Sequence, residues 1–179
     1  MIQKYILFSE EVEDFVLEIK TDGNASFADL RQLVCAACGY EETRDMRFLV
    51  CDEDWHVRQK IHATEPDNVR SDEDVYLMRN TVLRDFMEEE GQHLAFVFDS
   101  VEKRHFLLDL SEISYGKSQP KPAVSRRHGE APPQFLKADE APVTPNLVQP
   151  AVETGEEFYG SEGFEDEDID MEAFDIREE

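Results

Sequence analysis

Two β-rich runs, Ile2–Phe8 and Asp14–Lys20, open the chain and are joined by acidic residues. In the second, Phe15, Leu17 and Ile19 alternate with Val16, Glu18 and Lys20, the period of a half-buried strand. The pair predicts a hairpin. Thr21-Asp22-Gly23-Asn24 is turn chemistry. Ser26 then offers a helix cap, with Asp29 three residues on as a capping-box partner. Phe27, Leu30, Val34 and Ala37 recur at helical spacing, Leu33 widens the stripe, and Gly39 is placed to end it. A helix over 27–38 with one apolar face is expected.

A third strand is expected over Met46–Cys51. Residues 52–73 are polar and carry no clear period; they hold Trp55 and Pro66. Val75 to Met78 is apolar without a distinguishing pattern. Thr81 is positioned to cap a short helix with Val82, Leu83 and Phe86 turned inward. Leu94–Asp99 and His105–Leu110 alternate again and predict a hairpin across Ser100-Val101-Glu102-Lys103. This order describes an α+β fold: a single, mostly antiparallel sheet with one main helix and a short second helix.

Charge divides the chain further. Its formal net charge is −24 over 179 residues. Residues 1–116 hold 26 acids against 12 bases, a net of −14. Residues 117–150 carry a net of +2 and seven of the eight prolines. Residues 151–179 hold 13 acids and one base, Arg177, a net of −12. Proline removes backbone donors, so 117–150 is not expected to form a regular helix or a central strand. Like charge keeps 151–179 from collapsing alone. The expected organisation is a folded domain over 1–116, a Pro-rich linker over 117–150 and a disordered acidic tail over 151–179. A protein this acidic is repelled by nucleic acid and anionic lipid, so neither is an expected direct partner. No apolar run reaches the length of a membrane span and no secretory leader is apparent, so a cytoplasmic location is expected.

Chemistry is sparse. Cys35, Cys38 and Cys51 are an odd count. Cys35 and Cys38 lie on an apolar helical end, and no second ligand pair sits at zinc-finger spacing. Structural thiols are favoured over a redox or metal site. Asp52-Glu53-Asp54 and Asp72-Glu73-Asp74 lack the spaced ligands of a cation loop and read as solvated turns. The motifs of nucleotide, serine-hydrolase and zinc-protease sites are absent. No catalytic residue, metal or cofactor is expected. His105 reads as surface or partly packed.

The tail is more informative. Phe158, Tyr159, Phe164, Ile169, Met171, Phe174 and Ile176 are interspersed among its acids. A purely solubilising tail needs none of them. The pattern predicts a segment that folds on a basic, apolar-lined groove, with acids steering encounter and apolar residues supplying affinity. On a helix, Ile169, Ala173 and Ile176 would share one face, flanked by Met171 and Phe174.

The stretch Ser26–Tyr40, ending Cys38-Gly39-Tyr40 where the pattern has Phe-Gly-Trp, resembles the helix of the Ri-plasmid ORF-three-like family. Members of that family include passenger proteins of insertion elements. Phe48, Leu83-Arg84-Asp85-Phe86 and Phe96-Val97-Phe98-Asp99 extend the resemblance over most of residues 1–113. The chain departs from it at Arg44-Asp45-Met46, in place of His-Leu-His, and at Ser100-Val101-Glu102, in place of Phe-Gly-Asp. The resemblance implies an α+β domain, its sheet roll-like, in a bacterial, intracellular setting and supplies no activity. The functional expectation is therefore a non-enzymatic protein–protein interaction module whose tail engages a basic protein surface, such as one in a ribosomal or nucleic-acid-associated complex. The alternative is a degenerate or unrecognised enzyme of a mobile-element passenger family.

Overall fold

A computed structural model describes residues 1–70 and 73–136. These form an α+β fold with one eight-stranded sheet and one helix. The strands are β1 (Ile2–Ser9), β2 (Val16–Asp22), β3 (Arg47–Cys51), β4 (Val57–His62), β5 (Tyr76–Leu77), β6 (His93–Asp99), β7 (Arg104–Ser114) and β8 (Ala123–His128). Their spatial order is β5-β4-β3-β6-β7-β1-β2-β8. Only β4 and β5 pair in parallel; every other pairing is antiparallel.

The helix α1 (Phe27–Cys38) begins at a complete capping box. The Asp29 amide donates to Ser26 Oγ at 3.1 Å and the Ser26 amide to the Asp29 carboxylate at 2.9 Å. Gly39 ends it at φ 71°, a left-handed conformation that suits glycine. The chain thus passes from β2 to β3 across β1, β7 and β6, and Phe27, Leu30, Val34 and Cys35 are buried beneath α1.

That face holds the main core. Rings pack along it, Phe48 stacked on Phe96 at 4.7 Å between centroids and Phe98 tilted against Phe106 at 4.7 Å. Phe27 and Phe15 close its two ends, 5.4 Å from Phe48 and 5.5 Å from Phe106. Burying each such ring contributes about 1.5–3 kcal/mol. Buried Gln3 is satisfied, donating to the Met87 carbonyl at 2.6 Å and accepting from the Tyr5 hydroxyl at 3.1 Å.

Two elements differ from expectation. Residues 57–62 form β4, whose apolar side chains are only Val57 and Ile61 and whose bulge against β3 breaks the period. The segment after Thr81 is a single 3-10 turn, Leu83–Asp85, capped by Val82 without a side-chain bond. Thr81 Oγ1 instead donates back to the Leu77 carbonyl at 2.8 Å.

The folded unit also continues past Gly116, into the stretch read as a linker. β8 pairs with β2 at the sheet's edge, which proline-flanked sequence tolerates because only one side of the strand needs partners. Beyond it, residues 132–134 are clasped onto the domain. The Arg104 guanidinium binds both Glu11 oxygens at 2.8 Å and donates to the Gln134 and Pro133 carbonyls at 2.9 and 2.7 Å. Tyr40 donates its hydroxyl to the Pro132 carbonyl, and the Gln134 amide bonds both backbone groups of Glu41.

Candidate functional site

The seven tail residues expected to bind a partner, Phe158, Tyr159, Phe164, Ile169, Met171, Phe174 and Ile176, lie outside the described residues. Within the described residues, two places gather chemistry.

The first is the sheet face opposite α1. Leu49, Cys51, Ala95, Val97 and Leu107 form a second buried cluster there, with Phe8, Trp55 and Val57 packed against it. A polar row crosses one end. Cys51 on β3 is paired with His93 on β6, which is paired in turn with Asp109 on β7. Cross-strand pairing places these side chains side by side. His93 Nδ1 lies 2.6 Å from Asp109 Oδ1, and the Trp55 indole stacks on the imidazole at 4.0 Å and 7°. Trp55 sits at φ 65°, a backbone conformation a bulky residue adopts only when its surroundings enforce it. The surroundings here are the hairpin turn. Asp52 Oδ1 accepts from the amides of Asp54 and His56, both at 3.0 Å, and fixes the turn that throws Trp55 over His93.

An imidazole oriented by a carboxylate can exchange protons at its other nitrogen. The neighbouring thiol is a poor nucleophile, because burial pushes Cys51 up to about 12, with Asp52 adding to the effect. Burial likewise raises Cys35 to about 11 and Cys38 to about 12. All three cysteines are free, Cys35 and Cys51 buried and Cys38 half-buried.

Asp52, Asp54 and His56 lie close enough together to share an ion. The Asp52 carboxylate is already engaged by two backbone amides and by Arg58. His105 lies 3.6 Å from Glu10, while Asp99 caps the β6–β7 turn and lies 3.7 Å from Arg104.

The second place is the β8 edge. Between Lys117 and His128 the chain carries Lys117, Lys121, Arg126 and Arg127 and no acid. Arg126 extends over one sheet face, 3.6 Å from Glu18 and largely exposed. Arg127 turns to the other, donating to the Ala37 carbonyl at the end of α1 at 2.7 Å. Val124 packs against the main core. Just before β8, Gln119 ties the chain down, its amide donating to Asp22 at 3.2 Å and its side chain to the Lys20 carbonyl at 2.9 Å. Asp22 is held below the usual carboxylate range, first by the Asn24 amide and also by that of Gln119. A groove of about 690 Å³ opens between this segment and α1, with Leu33, Ala36 and Pro122 in its lining.

Sequence reasoning missed both places. The His93 partners are distant in sequence and follow no motif spacing. The β8 signal was present, as Ala123-Val124 among bases, but was masked by the surrounding prolines.

Among the described residues no helix is long and apolar enough to cross a membrane. No family model and no curated protein matches the chain. A solved structure from Methanosarcina mazei Go1, described as a protein of unknown function, is similar at 15% identity and a TM-score of 0.53. The match covers 70% of this chain and 68% of that one, a likeness of fold.

Proposed function

We propose that this protein is a non-enzymatic protein–protein interaction module, in which the α+β domain carries residues 151–179 to a basic protein surface. The observation that supports this most is the segregation of charge, a net of −12 in 29 residues that also hold seven apolar or aromatic anchors. The acids raise the encounter rate with a basic surface, and the anchors slow dissociation. The clasp at Arg104 gives the segment a fixed point of departure from the domain. A basic protein in a ribosomal or other nucleic-acid-associated complex fits this chemistry; nucleic acid itself does not.

The test replaces the seven anchors, Phe158 to Ile176, by serine in the full chain and leaves every acid in place. Affinity capture from native lysate, at low and moderate salt, should then lose the partner that the parent retains. Equal capture by both forms would reduce the segment to a solubilising tail.

A second reading, a degenerate or unrecognised enzyme of a mobile-element passenger family, is favoured by the His93–Asp109 pair beneath Trp55. It needs a substrate that displaces Trp55, and His93→Gln would then abolish turnover without unfolding the chain.

A further inference from the structure

β8 ends the sheet. Among the described residues no strand pairs with its outer side, so alternate backbone amides and carbonyls along Ala123–His128 face away from β2. Such an edge accepts an extended segment by backbone hydrogen bonding, and side chains select which segment. Here the selection is electrostatic. The edge and its approach carry four bases and no acid, in a chain of net −24.

The chain also contains the complementary sequence. In Asp168–Ala173, the residues Ile169, Met171 and Ala173 alternate with Asp168, Asp170 and Glu172. Period two places the acids on one face of a strand and the apolar side chains on the other. Acids turned to the Arg126 face meet an exposed guanidinium. Apolar residues turned to the α1 face meet Leu33, Ala36 and Pro122. That orientation also keeps the acids away from Asp22 and Asp29, which line the same groove.

Reach is not limiting. The clasp holds Gln134, six residues beyond the end of β8. The stretch from there to Asp166 could extend on the order of 100 Å, far more than a return to β8 requires.

We propose that the outer edge of β8 is the docking site for residues 168–173 of the same chain, which add to the sheet as a further strand. This deepens the reading of the tail as a binding segment and rests on it. The chain's own basic edge then competes with the basic partner, so the tail is released only to a surface that binds it better. Intramolecular docking has an effective concentration in the millimolar range, which favours it over pairing between copies in dilute solution.

The experiment uses the full chain. Zero-length carbodiimide coupling in dilute solution should join Lys117 to Asp168, Asp170 or Glu172 within the monomer. Amide hydrogen exchange should find the β8 amides protected at low salt. That protection should fall several-fold at high salt and in the variant Ile169→Ser, Met171→Ser, Ala173→Ser, which keeps every charge and leaves the described domain intact. The same variant should bind an oligolysine probe several-fold more tightly, because its acids are no longer engaged.

Cross-links found only in a dimeric species would overturn docking in cis. Cross-links spread evenly over Lys4, Lys20, Lys60 and Lys103 would overturn a specific site. Unchanged β8 exchange in the variant would overturn the added strand. That failure is separable from failure of the interaction reading, since exchange is measured on the isolated protein and partner capture is not.

Discussion

Arg104 is the most demanding test of the packing described above. Its side chain is nearly buried, at 7% exposure, and it faces Glu11, Asp99 and two backbone carbonyls. It also lies over the Phe98 ring at 5.0 Å. Arg104→Gln removes the cation and leaves these acceptors without it. Removing one partner of a fully buried ion pair costs about 3–5 kcal/mol. Glu11 is 38% exposed and can rehydrate, which lowers the figure. Asp99, at 13%, cannot do so fully. The stranded carbonyls of Pro133 and Gln134 add about 1 kcal/mol each where water does not reach them. The balance is a loss of about 3 kcal/mol. With a urea m-value of about 1.5–2 kcal/mol/M for a domain of this size, the midpoint should fall by about 1.5–2 M. The assay is equilibrium urea unfolding followed by circular dichroism, repeated with Glu11→Gln and the double variant. Limited proteolysis should also open residues 129–136 before the rest. A loss under about 0.5 kcal/mol, or additive single variants, would refute the clasp as an energetic unit.

Gly129→Ala should cost more than about 2 kcal/mol, because the residue sits at φ 69° and a Cβ would lie 2.4 Å from the Asp14 carbonyl oxygen; faster amide exchange confined first to β8 would locate the damage. The three cysteines should resist iodoacetamide at pH 8 until urea unfolds the chain, since burial raises all three thiols; rapid alkylation of the native protein would contradict their packing. Acid should destabilise the fold through groups whose folded values are depressed, His62 and Asp22 among them. Burial, and then Arg47 and Lys60, lower His62, so its contribution is complete above about pH 6.5 and is lost as pH falls. Asp22, lowered first by the Asn24 amide, contributes fully above about pH 4 and loses that contribution below it. Urea midpoints against pH should therefore flatten in His62→Gln on the upper limb and in Asp22→Asn on the lower. A steeper limb in either variant would reverse the assignment.

Elements whose side chains alternate or recur against one core were legible before the structure. The capping box at Ser26 and the strands around Phe15, Phe48 and Phe106 are read from spacing because burial on one face imposes that spacing. β4 was not legible, since a bulge resets its period and the strand lies near the sheet's edge. β8 was hidden for a related reason. An edge strand needs partners on one side only, so Arg126 and Arg127 remain exposed and the sequence resembles a linker. The Trp55–His93–Asp109 arrangement depends on sheet order, which no local pattern encodes. The candidate tail residues were chosen on composition, and they lie beyond the described residues.

The sheet order also sets a schedule for synthesis. β1, the first strand made, lies inside the finished sheet, and Ile2 pairs with Ser114 of β7. β2 in turn waits for β8, with Val16 opposite His128. At about 5–20 residues per second, the N-terminal hairpin stands alone for several seconds or more. An isolated hairpin is at best marginally stable in water. The free edges of β1 and β2 are thus open to wrong partners until the last described strand emerges. Completion of the sheet during synthesis therefore waits on β7 and β8, and a ribosome-stalled chain ending before β7 should be a chaperone client rather than a folded intermediate.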